Sequence, residues 1–377
     1  MHINISTLNK ISQAGLALLS DGYHLTDSIE NANGILVRSQ DMHSMDFSDN
    51  LEVIARAGAG VNNIPLDRCA EKGIVVFNTP GANANAVKEL VIAGLLLSAR
   101  NIPKALSWAS SLDENISASV EKGKSQFAGH EIAGKTLGVI GLGAIGRKVA
   151  YAAKALGMEV IGYDPYFKGE LENVKIYEDI KMILPLCDYV TIHVPASDST
   201  KGMFGKELLT LMKKSAVLLN FSRDKLVKEN ELIEVLDAGM IAGYVTDFPN
   251  DVISGHENVI LIPHLGASTS EAEDNCASMA VQQMMDFFEN GNIRNSVNFP
   301  SADLGPLGDK GRVGIFASAS YIDKLMNAEG FSGYKILNRA GGTKGDYGYI
   351  LLEIDSENVA SMMFYGSNPI RIKAFAK

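Results

Sequence analysis

The chain has 377 residues, more than one ordinary domain holds, and its 46% hydrophobic and 21% charged residues are a globular balance. A formal net charge of −10 excludes an extended nucleic-acid surface, which needs clustered Lys and Arg, but leaves room for a local group of cations that binds an acidic metabolite. Cys69, Cys187 and Cys276 lie far apart and form no C-x-x-C, so neither a zinc site nor a disulfide framework is expected and no metal is assigned. The N-terminal stretch MHINISTLNK lacks a basic region followed by an apolar one, and the longest apolar run, 91–97, is too short to span a bilayer. These features predict a cytoplasmic protein with no membrane partner.

In chain order, GILVR (34–38), LEVIARAG (51–58) and GIVVFN (73–78) are short apolar runs separated by polar helical stretches, the pattern of buried parallel strands in an open α/β sheet. Asn78-Thr79-Pro80-Gly81 interrupts the chain. A long helix is expected over 84–100, with an apolar stripe through Val87, Leu90, Val91, Gly94, Leu95 and Leu97. Six further strand-like runs follow: KTLGVIGLG (135–143), EVIGYDP (159–165), YVTIHVP (189–195), AVLLNFS (216–222), AGYVTDF (242–248) and VILIPH (259–264). Six such runs, most with helical patterns between them, make a full dinucleotide-binding domain. A helix over 268–290 would return the chain to the first domain. The Gly- and Pro-containing stretch 300–311 reads as a linker, and 312–377 as a strand–helix–strand–strand–helix–strand tail.

Gly141-Leu142-Gly143-Ala144-Ile145-Gly146 is a G-x-G-x-x-G placed between an apolar strand and a helix. The glycines permit a tight turn and a close backbone approach to a pyrophosphate, which then lies on the helix N-terminus. Asp164 ends the next strand, where a carboxylate accepts from ribose hydroxyls and repels a 2′-phosphate, so NAD is expected over NADP.

Oxidising a hydroxy acid requires a base for the hydroxyl proton and a cation for the carboxylate and the developing carbonyl. Arg223 directly follows AVLLNFS and His264 directly follows VILIPH, at the strand ends that border the crevice of such a sheet. A guanidinium grips a carboxylate with two bonds, and imidazole exchanges protons near neutral pH.

Read together, VRSQ (37–40), RAGAGVNNI (56–64), NTPGAN (78–83), GLGAIGR (141–147), GYDP (162–165), HVP (193–195), NFSR (220–223) and PHLGAST (263–269) occur in the order found in the D-isomer-specific 2-hydroxyacid dehydrogenases, and over essentially its whole length the chain resembles that family. The resemblance implies a Rossmann-type doubly wound parallel sheet (81–265) inserted into a flavodoxin-like α/β substrate domain (1–80 and 266–300), followed by the linker and the tail. It implies that Arg223 binds the substrate carboxylate or keto oxygen, that His264 is the acid/base, and that Asp247 contacts the nicotinamide carboxamide. Gly141, Gly143, Ala144, Ile145, Gly146, Asp164, Val194, Pro195, Phe221, Ser222, Arg223, His264 and Ala267 would join Asp247 in holding the cofactor. Arg38, Ser39, Arg56, Gly58, Ala59, Gly60 and Asn62 would line the substrate pocket.

The family places a glutamate shortly after that aspartate, paired with the histidine. Here Val252 falls at its position, and Asp251, one residue off, is the tentative replacement. Arg38 and Arg56 make a phosphorylated acid the expected substrate, 3-phosphoglycerate on the route to serine. Other members' substrates, such as glyoxylate, hydroxypyruvate or D-lactate, and an NAD-sensing binding protein on the same fold, are the alternatives. Lys122 and Lys124 lie in a segment that in this family crosses to a second subunit, and a homodimer or tetramer is expected. The tail, above all LNRAGGTKGDYGYILLEIDS (337–356), resembles an ACT module, but the loop ASASY (317–321) lacks the Pro-Gly of serine-binding relatives.

Overall fold

The computed structural model describes residues 2–357, 359 and 369–376, which form two compact units, 1–83 with 270–377 and 84–269. The unit boundaries thus fall three to four residues beyond those expected, and the tail is part of the first unit rather than a body of its own.

In the first unit, β1 (Ile3–Leu8), β2 (Tyr23–Leu25), β3 (Gly34–Val37), β4 (Val53–Arg56) and β5 (Val75–Phe77) make a five-stranded parallel sheet of order β2-β1-β3-β4-β5. This is the flavodoxin-like order. β3 and β5 are buried throughout, as continuous apolar runs must be when both sheet faces are covered. The 21-residue helix Ser270–Asn290 packs Ala277, Ala280, Val281, Met284, Phe287 and Phe288 into the core over β1 and β4.

In the second unit, β6 (Thr136–Ile140), β7 (Glu159–Tyr163), β8 (Lys175–Tyr177), β9 (Tyr189–Ile192), β10 (Val217–Asn220), β11 (Gly243–Thr246) and β12 (Val259–Leu261) form a parallel sheet ordered β12-β11-β10-β9-β6-β7-β8. The order reverses between β6 and β9, the switch point at which a doubly wound sheet binds its ligand. The short edge strand β8 carries little apolar signal and is absent from the sequence reading. The helix Ala84–Ala99 lies over this sheet, burying Val87, Val91, Gly94 and Leu95. Among the described residues no single helix is long and apolar enough to cross a membrane.

The tail strands β13 (Arg312–Ser318), β14 (Gly330–Phe331), β15 (Tyr334–Lys344), β16 (Tyr347–Ile354) and β17 (Pro369–Phe375) form an antiparallel sheet of order β14-β15-β16-β13-β17, with the helix Ala319–Met326 after β13. The second tail helix expected from the sequence falls largely outside the described residues. Phe316, Tyr349, Leu351 and Phe375 share one core with Phe77, Phe287, Phe288 and Phe299. The stretch 300–311 is accordingly not a free linker. Leu304 and Leu307 pack on that core, and the carbonyls of Leu304, Gly305 and Pro306 accept from the buried Arg312 guanidinium at 2.8, 2.8 and 3.1 Å. The Gly and Pro residues that suggested a linker instead bend the chain around that cation.

Candidate functional site

β6 runs directly into the glycine loop. Gly141 has φ +94°, and a Cβ there would lie 2.6 Å from the His193 carbonyl oxygen. A Cβ on Gly146 would lie 1.9 Å from the Gly141 carbonyl oxygen, a contact that only glycine avoids. At Gly143 a Cβ would meet nothing within 4 Å, so that side of the turn is open. Ala144 and Ile145 begin the helix Ala144–Ala155, whose first N–H groups have no partner within the helix and suit an anion.

Asp164, just past β7, braces this loop. Its Oδ2 accepts from the Leu142 N–H at 2.8 Å and its Oδ1 from the Tyr166 N–H at 2.9 Å. Val194 and Pro195 follow β9, and the Ser222 hydroxyl donates to the Val194 carbonyl at 2.7 Å, tying two expected cofactor segments together. The Phe221 ring is buried against the helix Ala84–Ala99 at Gly94 and packs the sheet.

Arg223 is exposed at the turn after β10, with Nη1 donating to the Ser222 carbonyl at 2.6 Å. Asn220, fully buried, shapes that turn: its Nδ2 donates to the Arg223 carbonyl at 2.9 Å and its Oδ1 accepts from the Ser222 N–H at 3.2 Å. The NFSR segment includes Asn220, and the resemblance gives that residue no role. Only its polarity inside an otherwise apolar run marked it.

Asp247, directly after β11, is 1% exposed. Its Oδ2 accepts from the Gly266 N–H at 2.9 Å, while its buried Oδ1 has no partner among the described residues. Burial raises the carboxyl above the usual range; the Gly266 hydrogen bond and the charges of His264 and Arg223 oppose that rise. His264, after β12, holds φ at +31°, a conformation costly for a non-glycine residue. Its N–H donates to the Asp247 carbonyl at 2.9 Å, and its exposed ring stands 5.0 Å from that of Phe248. Ala267 lies in the turn that follows.

The histidine's expected acid partner is not where the sequence suggested. Asp251 and Val252 are both exposed, and among the described residues His264 forms no ion pair with any carboxylate. Asn250 fixes this turn. Its Oδ1 accepts from the Val252 N–H at 3.0 Å and its Nδ2 donates to Glu229 at 2.7 Å, which directs 251–252 outward. Burial raises the Glu229 carboxyl.

In the first unit, Arg38 and Ser39 follow β3, and Arg56 ends β4. Asn9 Oδ1 accepts from the Ser39 and Gln40 N–H groups at 2.9 and 2.8 Å, and Asn78 donates to the Ala59 carbonyl at 2.7 Å to pin the loop containing Gly58, Ala59, Gly60 and Asn62. Asn9 carries no signal in the sequence, since an isolated asparagine resembles an ordinary turn residue, and the NTPGAN segment that contains Asn78 gives it no role. In the second unit, Lys122 and Lys124 are exposed, and Lys124 pairs with Glu121 at 2.6 Å.

The glycine cradle, the open face at Gly143 and the unpaired Asp247 oxygen fit a dinucleotide whose pyrophosphate meets the helix N-terminus and whose carboxamide donates an N–H. Residues 92–266 match the model of the D-isomer specific 2-hydroxyacid dehydrogenase, NAD binding domain, which makes NAD the cofactor. D-3-phosphoglycerate dehydrogenase of Methanocaldococcus jannaschii is 36% identical over 81% of this chain, and the match spans 59% of that relative's own length. The Haemophilus influenzae enzyme of the same name is 33% identical over 75% of this chain and 71% of its own. The NAD-bound 3-phosphoglycerate dehydrogenase of Entamoeba histolytica has a TM-score of 0.64 at 26% identity, covering 79% of this chain and 99% of that one. The chain belongs to the D-isomer-specific 2-hydroxyacid dehydrogenase family.

Proposed function

We propose that this chain oxidises 3-phospho-D-glycerate to 3-phosphohydroxypyruvate with NAD, the first step of serine biosynthesis. The observation that carries the reading is the placement of Arg223, Asp247 and His264 within three residues of the carboxyl ends of the adjacent strands β10, β11 and β12 of one Rossmann sheet. The names of the phosphoglycerate dehydrogenase relatives support the choice of substrate.

Bound NAD supplies the hydride acceptor. Arg223 grips the substrate carboxylate and stabilises the carbonyl that forms at C2. His264 takes the C2 hydroxyl proton as the C2 hydride departs, then returns that proton to solvent. The free Oδ1 of Asp247 receives the carboxamide N–H. Gly141, Gly143, Ala144, Ile145, Gly146, Asp164, Val194, Pro195, Ser222 and Ala267 complete the cofactor contacts. Arg38, Ser39, Arg56, Gly58, Ala59, Gly60 and Asn62 serve the substrate, the two arginines taking its phosphate.

The sheet order β17-β13-β16-β15 with a helix after β13 supports an ACT-like tail. A cytoplasmic homo-oligomer completes the reading. The test is NADH formation at 340 nm with 3-phosphoglycerate, D-glycerate, D-lactate and 2-hydroxyglutarate. Turnover largely confined to 3-phosphoglycerate is expected; turnover only with an unphosphorylated acid would overturn the substrate assignment.

A further inference from the structure

Two cations stand side by side in the first unit. Val37 and Arg56 are register partners in the parallel pair β3–β4, so Arg38 and Arg56 leave the carboxyl ends of neighbouring strands. Arg56 Nε donates to the Arg38 carbonyl at 3.0 Å. A Cβ on Gly58 would lie 2.3 Å from the Arg56 guanidinium, so the bare glycine is what admits the side chain there. Two arginines that leave neighbouring strand ends concentrate positive charge on this edge of the sheet, which favours an anion with more than one charge.

That position already has an anion from the protein itself. Glu273, in the first turn of the helix Ser270–Asn290, pairs with Arg38 Nη1 at 2.7 Å. Both side chains remain partly exposed, 40% for Arg38 and 44% for Glu273, so an incoming ligand can reach and break the pair. Cys276, buried, lies one turn further along the helix from the exposed Glu273. Burial raises its thiol; the Glu273 pair is what places Arg38 against this helix.

We infer that Glu273 is a specificity-determining positioning residue: its carboxylate holds Arg38 in place of the substrate phosphate and yields it only to a competing dianion. The inference rests on the proposed phosphoglycerate activity. A phosphate, carrying nearly two charges and three acceptor oxygens, displaces a single carboxylate from Arg38, whereas an unphosphorylated acid gains nothing at that position. Glu273 thus costs the true substrate some affinity and withholds a bare guanidinium from small monoanions, which is discrimination by competition.

The experiment compares wild type with Glu273→Gln, and uses Glu271→Gln as the control that removes an exposed charge from the same turn. Binding of inorganic phosphate is measured by calorimetry, and KM and kcat are measured for 3-phosphoglycerate. Glu273→Gln is expected to tighten phosphate binding and lower KM by about two- to five-fold, with the change in KM exceeding that in kcat. Glu271→Gln should give wild-type values. Phosphate affinity and KM in Glu273→Gln equal to wild type, or shifted equally in both variants, would overturn the inference. Wild type that fails to oxidise 3-phosphoglycerate would defeat the functional reading, and the phosphate calorimetry would still decide the role of Glu273.

Discussion

The main chain of His264 is tied to that of Asp247: the histidine N–H donates to the aspartate carbonyl at 2.9 Å, while the aspartate carboxylate reaches forward to the Gly266 N–H at 2.9 Å. One turn therefore sets both the base proposed for the reaction and the carboxylate whose second oxygen is left for the cofactor. It holds the His264 backbone at φ +31°, with the ring 5.0 Å from that of Phe248.

Replacing His264 by Ala should lower kcat about 10²- to 10⁴-fold while leaving NADH affinity within a few-fold of wild type. Stopped-flow turnover and NADH fluorescence titration check the two halves. Asp251→Asn should keep the wild-type pH–rate profile, because Asp251 is exposed and, among the described residues, forms no ion pair with His264. A shifted profile in that variant would bring Asp251 back as the partner of the histidine.

Two glycines of the cofactor loop should separate folding from binding. Gly146→Ala places a methyl 1.9 Å from the Gly141 carbonyl and should destabilise the second unit as well as abolish NADH binding. Gly143→Ala meets no protein atom within 4 Å, so its Tm should match wild type while NADH binding weakens at least ten-fold. Thermal unfolding and fluorescence titration of both variants test the pair.

Acid sensitivity should trace in part to His193. This ring, with Nε2 2.9 Å from the Thr191 hydroxyl and Nδ1 unpartnered among the described residues, is pushed by burial down to about 3. The folded protein thus resists a proton that the unfolded chain accepts near pH 6.5. The stabilisation is fully present above pH 6.5 and is lost as the pH falls toward 3, at about 1.4 kcal/mol per pH unit. Urea unfolding between pH 7 and 4.5 should fall less steeply for His193→Asn than for wild type.

Arg312 should anchor the tail. Its guanidinium is 2% exposed, pairs with Glu353 at 3.2 Å and donates to the carbonyls of Asn290, Leu304, Gly305 and Pro306. Arg312→Met leaves these acceptors unmet and should cost about 3–5 kcal/mol, read as a lower denaturation midpoint of the first unit. A midpoint unchanged from wild type would mean that the tail is held by its aromatic core alone.

Much of this arrangement was legible in the residues themselves. Continuous apolar runs such as Gly34–Val37 and the glycine loop after Ile140 mark parallel strands and a cofactor turn with period and residue type alone. The strand-end positions of Arg223 and His264 followed from the same runs. What escaped was long-range pairing. The core shared by Phe287, Phe316, Tyr349 and Phe375 joins segments distant in sequence, so a Gly- and Pro-bearing stretch passed for a linker. Asn9, Asn78 and Asn220 act through bonds to backbone groups that no local pattern announces.

The most direct measurement follows the hydride itself. With 3-phosphoglycerate deuterated at C2 and unlabelled NAD, mass spectrometry of the reduced cofactor should find deuterium in the NADH formed by wild type, with the rate of transfer reduced at least 100-fold in His264→Ala. Unlabelled NADH, or deuterium transfer at an undiminished rate in the variant, would contradict the assignment of this site to C2 oxidation by His264.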